Sequence, residues 1–236
     1  EQDPARLRAA SFDAARVALE ATQLKGLSHF NLCETAECRA SMQDVHARLA
    51  ELAASTSDSF AAMQVQTMTI RAYTVGNFYE EAWGRLERVL ENDRAALAIF
   101  AEFEVSPMHL DDRLRSHRYF TRVRERYLTF LSRGAQDGGG ELLEEALEDT
   151  DAMFQLVAQQ PTVELLISRT ANTVDTLATW LRRLDRDEEA DEWLRRALEV
   201  ARTPGLDRRE TAIEIVAQLE ASLGVASPSV AENEVQ

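Results

Sequence analysis

Apolar residues recur at three- and four-residue steps along most of the chain, with polar residues between them. Met42, Val45, Leu49 and Leu52, for example, fall on one face of a helix. Similar stripes, separated by Gly, Pro or polar breaks, predict about nine helices, and no stretch shows the alternation typical of a strand. Short connections favour antiparallel neighbours. The sequence therefore predicts an all-α fold, either a solenoid of helical hairpins or an irregular helical bundle.

The spacing of these stripes also predicts the domain organisation. Helical periodicity continues to Gly224, which predicts a single all-helical domain over residues 1–224. Its most flexible internal segment, Ala-Gln-Asp-Gly-Gly-Gly at 135–140, is a candidate sub-boundary. Residues 225–236 have no periodicity, and we expect a disordered tail there.

Residues 170–205 are typical of one helical hairpin, with two amphipathic helices, a polar turn and a closing Pro204-Gly205. Small and large apolar residues alternate at its expected contact positions: Leu177, Ala178 and Leu181 in the first helix, then Ala190, Leu194 and Ala197 in the second. This pattern resembles the tetratricopeptide repeat, in which small residues lie where the two helices cross closely. Pro204 comes about two residues later than the family pattern places it. The resemblance implies a tetratricopeptide-like solenoid that binds other proteins.

A second, weaker resemblance begins near Gln66. It rests on the following residues: Tyr73, Gly76, Tyr79, Ala82, Leu86, Val89 and Leu90. We expect a helix break at Gly76, with the next helix over about 78–104. Regular copies 34 residues apart are missing between the two hairpins. The resemblance therefore covers roughly 65 of the 236 residues.

Charge and composition argue against nucleic acid and anionic lipid as partners of this chain. The formal net charge is −15, which argues against general binding to nucleic acid or anionic lipid because both need a positive surface. No run of about eighteen apolar residues occurs, so no membrane span is predicted. Lys25 is the only lysine, and every other basic residue apart from histidine is arginine. We interpret this usage as genomic compositional bias.

The helix predicted over about 107–133 carries a concentration of arginines. At 100° per residue, Arg115, Arg118, Arg122 and Arg126 share one stripe, which could bind a carboxylate- or phosphate-bearing partner through bidentate pairs. The alternative is that this stripe meets acidic residues of the same chain. The candidate acidic residues are Glu80, Glu81 and Glu87, or Glu141, Glu144 and Glu145.

A second candidate surface lies on the first helix of the 170–205 hairpin. Asn172, Asp175, Thr179 and Arg183 are polar positions opposite its apolar stripe. In a solenoid they would line a concave groove, and they are the second candidate partner-binding set.

Cys33 and Cys38 form the remaining constellation. Five residues apart in one helix they would diverge, but in a turn they could form a disulfide. Two alternatives are reduced thiols and a zinc site with His29 and His46, although the spacing matches no zinc module. The sequence starts at Glu1 without methionine, which fits a removed signal peptide and an artificially shortened chain equally well. The cysteine pair favours an exported protein, periplasmic or secreted, over a cytoplasmic one.

Enzyme signatures are missing from the sequence. It contains no P-loop, no G-x-G-x-x-G, no G-x-S-x-G and no H-E-x-x-H motif. We therefore predict a protein that is not an enzyme, with no cofactor and no metal, that binds another protein as an adaptor or accessory subunit. The alternatives are a structural subunit of a larger assembly and a metal-binding protein or enzyme built on the Cys/His cluster at 29–46.

Overall fold

The computed structural model describes residues 35–56, 59–105, 111–134, 139–202 and 210–224. This part of the chain contains eight α-helices and no strand, so the all-α prediction is confirmed and the number of helices is close to nine. The helices are α1 Thr35–Ser55, α2 Ser59–Ala82, α3 Leu86–Val105, α4 Asp112–Ser132, α5 Gly140–Gln159, α6 Glu164–Arg183, α7 Asp187–Ala201 and α8 Glu210–Ser222. The helix predicted before residue 26 and the predicted tail lie outside the described residues.

The chain divides into two compact units between Ile99 and Phe100. The first contains α1, α2 and most of α3, and the second contains the end of α3 and α4 to α8. The candidate sub-boundary at 135–140 lies within the second unit and does not coincide with this division.

In the first unit, α1 packs along α2. Val45 and Leu49 of α1 join Val65 and Ala72 of α2 in one apolar cluster. A buried polar link then fixes α2 to α3, because the Asn77 amide donates to the Asp93 carboxylate at 2.7 Å. Buried polar groups need such partners, so this link favours one register between the two helices.

The helix break predicted at Gly76 is wrong, because α2 continues through Gly76 and ends beside Gly84. Gly84 has φ of 69°, its N–H donates to the Glu81 carbonyl at 2.9 Å, and the Arg85 N–H donates to the Glu80 carbonyl at 2.8 Å. These two bonds form a Schellman cap, which ends a helix with a left-handed residue. Ala82 and Leu86, expected as contact residues of a second hairpin, are exposed next to this cap.

The second unit is organised around α6. This helix packs directly against α4, α5, α7 and α8, while α4 also packs on α5 and α7 on α8. The six contact positions predicted for the 170–205 hairpin are all buried in the apolar core of the second unit: Leu177, Ala178, Leu181, Ala190, Leu194 and Ala197. The hairpin turn is closed by Asp185, which has φ of 57°.

Candidate functional site

The arginine stripe of α4 meets acidic residues of α5. The Arg126 guanidinium bonds the Asp149 carboxylate and lies 2.7 Å from Oε2 of Glu145. Nε of Arg122 is 3.2 Å from the same Asp149 carboxylate, whereas Arg115 pairs with Asp112 on its own helix. The alternative given by the sequence, pairing within the chain, is thus observed for Arg122 and Arg126. Glu145 was among the expected acidic residues, and Asp149 was not.

Burial dominates the electrostatics of this cluster. Arg126 and Asp149 are each 6% exposed, so neither can reach a partner without local opening. Burial raises the pKa of the Asp149 carboxyl, while the hydrogen bond from Arg126 and the positive charges of Arg122, Arg126 and Arg118 act to lower it. The carboxylate therefore loses more by leaving water than it regains from its arginines. Such a cluster joins α4 to α5 rather than forming an open binding surface.

The α6 set presents three of its four side chains to solvent. Asn172, Thr179 and Arg183 are exposed, and Asp175 is half-buried. The Asp175 carboxylate accepts a 2.7 Å hydrogen bond from the Ser222 hydroxyl, which brings the end of α8 against this stripe. The structure thus places the four positions along one helix, with one member already bonded to a neighbouring helix.

The predicted disulfide is not found in the part of the chain that the structure describes. Cys38 carries a free, fully buried thiol, and Cys33 lies outside the described residues, as does His29. Burial raises the pKa of the Cys38 thiol and the charge of Glu80 raises it further, with Arg39 opposing both. Within the described residues no group of three potential ligands could hold a metal ion.

A cleft of about 240 Å³ opens in the first unit between α1, α2 and the start of α3. Its polar lining includes Arg39, Gln43 and His46 from α1, Glu80 and Trp83 from α2 and the following turn, and Arg85, Arg88 and Asn92 beyond that turn. Sequence reasoning missed it. The Gly84 turn, which brings the arginines after it to the same place as Arg39, was predicted at Gly76 instead.

Trp83 holds two guanidinium groups in this cleft. The Cζ atoms of Arg39 and Arg85 lie 5.5 and 5.8 Å from the centre of its ring, within the range of cation–π attraction. Arg85 also lies 3.9 Å from the Glu80 carboxylate, and Arg88 pairs with Glu91 at 2.6 Å. Arg39 forms no ion pair or hydrogen bond within the described part of the chain, and its Nη2 atom is buried. Among the described residues Arg39 thus has no ion-pair partner, and Oε2 of Glu80 in the same cleft is also buried without a hydrogen-bond partner.

A larger cleft, about 380 Å³, lies in the second unit beside Gly139. Within the described part of the chain, its charged lining residues are Arg133, Glu141 and Glu145. Glu145 is already bonded to Arg126.

Comparison with known proteins does not assign a function to either surface. No family model matches the chain, and no curated protein or solved structure matches it either. Among the described helices none is long and apolar enough to cross a membrane. The fold and its surfaces define an all-α protein with a polar stripe on α6 and a cationic cleft beside Trp83.

Proposed function

We propose that the chain is a non-catalytic protein–protein interaction module, an adaptor or accessory subunit built from tetratricopeptide-like hairpins. The order of packing in the second unit supports this proposal. Helices α4 and α5 form one hairpin and α6 and α7 the next, while α4, α6 and α8 also pack on one another in sequence. Stacked hairpins produce this order, because each hairpin contacts only its neighbours along the stack.

The two rows of helices differ in how closely they approach. Helices α4, α6 and α8 approach one another directly, whereas α5 and α7 meet through long side chains. Phe154 lies 5.9 Å from Trp193 between ring centres, and Arg196 reaches Asp151 at 2.8 Å. In a curved stack the more closely spaced row forms the inner arc, because the inner arc is shorter. We therefore expect α6 on the concave side, which is the side that helical repeats use for binding.

The exposed groups of α6 suit a polar partner segment. Asn172 supplies amide donors and an acceptor, Thr179 a hydroxyl and Arg183 a guanidinium. These groups lie at seven- and four-residue steps, so they follow one line along the helix. An extended partner segment could bond them in succession.

Site-specific photo-crosslinking tests the proposal with the full chain. A photoreactive residue at Asn172 or Thr179 is expected to capture one stoichiometric partner in an extract of cells that make the protein. The matched control is Glu199, which is exposed on α7 in the other row of helices. Thr179→Arg should weaken the capture made from position 172, and Glu199→Arg should leave it unchanged.

Two results would contradict the adaptor proposal. One is crosslinking of equal yield and pattern from α6 and from Glu199, which would mean that α6 is not the binding surface. The other is a chain that stays aggregated until a second subunit is co-expressed, because an adaptor should be stable alone. That behaviour would favour the structural subunit of a larger assembly.

A further inference from the structure

We propose that the cleft beside Trp83 binds a carboxylate group, held by the guanidinium of Arg39. The carboxylate belongs to a small organic acid or to an acidic side chain of a partner protein. The site lies wholly in the first unit and does not rest on the adaptor proposal, which concerns α6.

The charge of the lining favours an anion. Among the described residues, three arginines and one glutamate line the cleft, so this part of its lining is positive within a chain of net charge −15. Arg85 lies beside Glu80, and Arg88 is paired with Glu91. Only the charge of Arg39 is uncompensated among these three, and a half-buried guanidinium without an acceptor costs free energy. A bound anion would remove that cost.

The chemistry of the cleft favours a carboxylate over a phosphate. One uncompensated positive charge matches one negative charge, and the Glu80 carboxylate in the same cleft repels a dianion more strongly than a monoanion. A guanidinium also pairs with a planar carboxylate through two parallel N–H donors. The volume of about 240 Å³ is below that of pockets for drug-sized ligands, so the ligand is of side-chain size.

Trp83 prepares Arg39 for this role. Cation–π attraction to the indole ring holds the guanidinium at the cleft before any ligand arrives. A side chain that is already held loses less conformational freedom on binding. Gln43 supplies a neutral amide donor in the same lining for the second carboxylate oxygen, whereas the Asn92 amide already donates to Oδ1 of Asn77 at 2.9 Å.

Titration followed by NMR tests the site in the full chain. The indole N–H signal of Trp83, identified by its loss in Trp83→Phe, is followed during separate additions of sodium acetate, sodium benzoate and a capped tripeptide with a central glutamate. Sodium chloride at matched ionic strength and inorganic phosphate are the comparison anions. A saturable shift is expected with carboxylates, with no saturation by chloride and weaker binding of phosphate. If the peptide saturates the site at a lower concentration than acetate and benzoate do, the natural ligand is an acidic side chain of a partner protein. If acetate or benzoate saturates it at the lower concentration, the natural ligand is a small organic acid.

Variants separate a binding role from a structural one. Arg39→Gln should weaken carboxylate binding about ten- to a hundredfold, the loss of one charge-assisted pair. Glu80→Gln should strengthen it, because a repelling charge is removed, and a misfolded protein would not give that result. Arg48→Gln changes an exposed arginine on the same helix and should have no effect. The proposal is overturned if no carboxylate probe saturates, if phosphate binds more tightly, or if Arg39→Gln binds as the unchanged chain does.

Discussion

The buried pair of Arg126 and Asp149 gives the sharpest test of how the second unit is held together. Asp149→Leu leaves Arg126 paired with the half-exposed Glu145, and Arg126→Met leaves Asp149 paired with Arg122 and near the charge of Arg118. Removing one partner of a buried pair costs about 3–5 kcal/mol when the other charge is left alone. Because each remaining charge keeps one partner, we expect about 2–4 kcal/mol for each single change.

The double variant should recover most of this loss. Replacing both charges by apolar side chains removes the desolvation cost of Asp149, which is large enough to raise its pKa despite three nearby arginines. We therefore expect Asp149→Leu with Arg126→Met to unfold within about 1 kcal/mol of the unchanged chain. The coupling energy between the two positions should then be about 2 kcal/mol or more.

Urea unfolding in a Trp83→Phe background measures this cycle, because the fluorescence then comes from Trp180 and Trp193 of the second unit. The control is the exposed pair of Asp44 and Arg48, 2.9 Å apart, for which we expect a coupling of about 0.3–0.5 kcal/mol by circular dichroism. A coupling at the buried pair no larger than that of the control would refute the reasoning. In that case the arginine stripe of α4 would be available as an open binding surface.

Three further predictions concern single residues. Gly139→Ala should lower the free energy of unfolding in urea by about 2–4 kcal/mol, because Gly139 has φ of 52° and a Cβ there would lie 2.7 Å from Phe130. The control Gly140→Ala should be neutral or stabilising, and equal effects of the two changes would contradict this prediction. Asp185→Gly should stabilise the fold by up to about 1 kcal/mol and raise the melting temperature, since the backbone of Asp185 is in the left-handed region. A lower melting temperature would show that the Asp185 side chain stabilises the turn. Burial lowers the pKa of His46, so the unfolded chain takes up a proton at this histidine more readily than the folded chain does. The free energy of unfolding should therefore fall as the pH drops through about 6.5. His46→Gln should flatten this pH dependence in urea unfolding at pH 5 to 7, and an unchanged pH dependence would assign the effect to other groups.

The hairpin of α6 and α7 was predictable because its signal is local. Leu177 and Leu181 lie four residues apart in α6, as do Ala190 and Leu194 in α7, and each helix buries one face, so periodicity alone identifies the core side. The break between α2 and α3 was not predictable in this way. Gly76 and Gly84 are both glycines between apolar stripes, and the deciding difference is tertiary. A Cβ at Gly76 would lie 3.6 Å from the Asn92 amide, ordinary contact within a packed helix.

The candidate surfaces show the same limit. Helical geometry placed four arginines on one line of α4, but it could not say that Asp149, on the next helix, would face Arg126. The cleft of the first unit is harder still, because Arg39 and Trp83 are 44 positions apart and meet only when α1 packs along α2. Periodicity predicts which face of a helix is buried. It does not predict which residues of another helix that face will meet.

The structure also changes the interpretation of the arginine-rich composition. On an exposed pair such as Arg48 with Asp44, lysine would serve equally well, and compositional bias is a sufficient explanation. Arg39 and Arg196 place their guanidinium groups over the rings of Trp83 and Phe154, with Cζ at 5.5 and 4.0 Å from the ring centres. Arg126 uses separate N–H groups for Asp149, for Oε2 of Glu145 and for a backbone carbonyl. A lysine ammonium has neither the flat face nor the fork, so these positions depend on arginine whatever the origin of the bias. The same argument applies to the cleft, where the property that suits Arg39 to a carboxylate is the planar fork and not the charge alone.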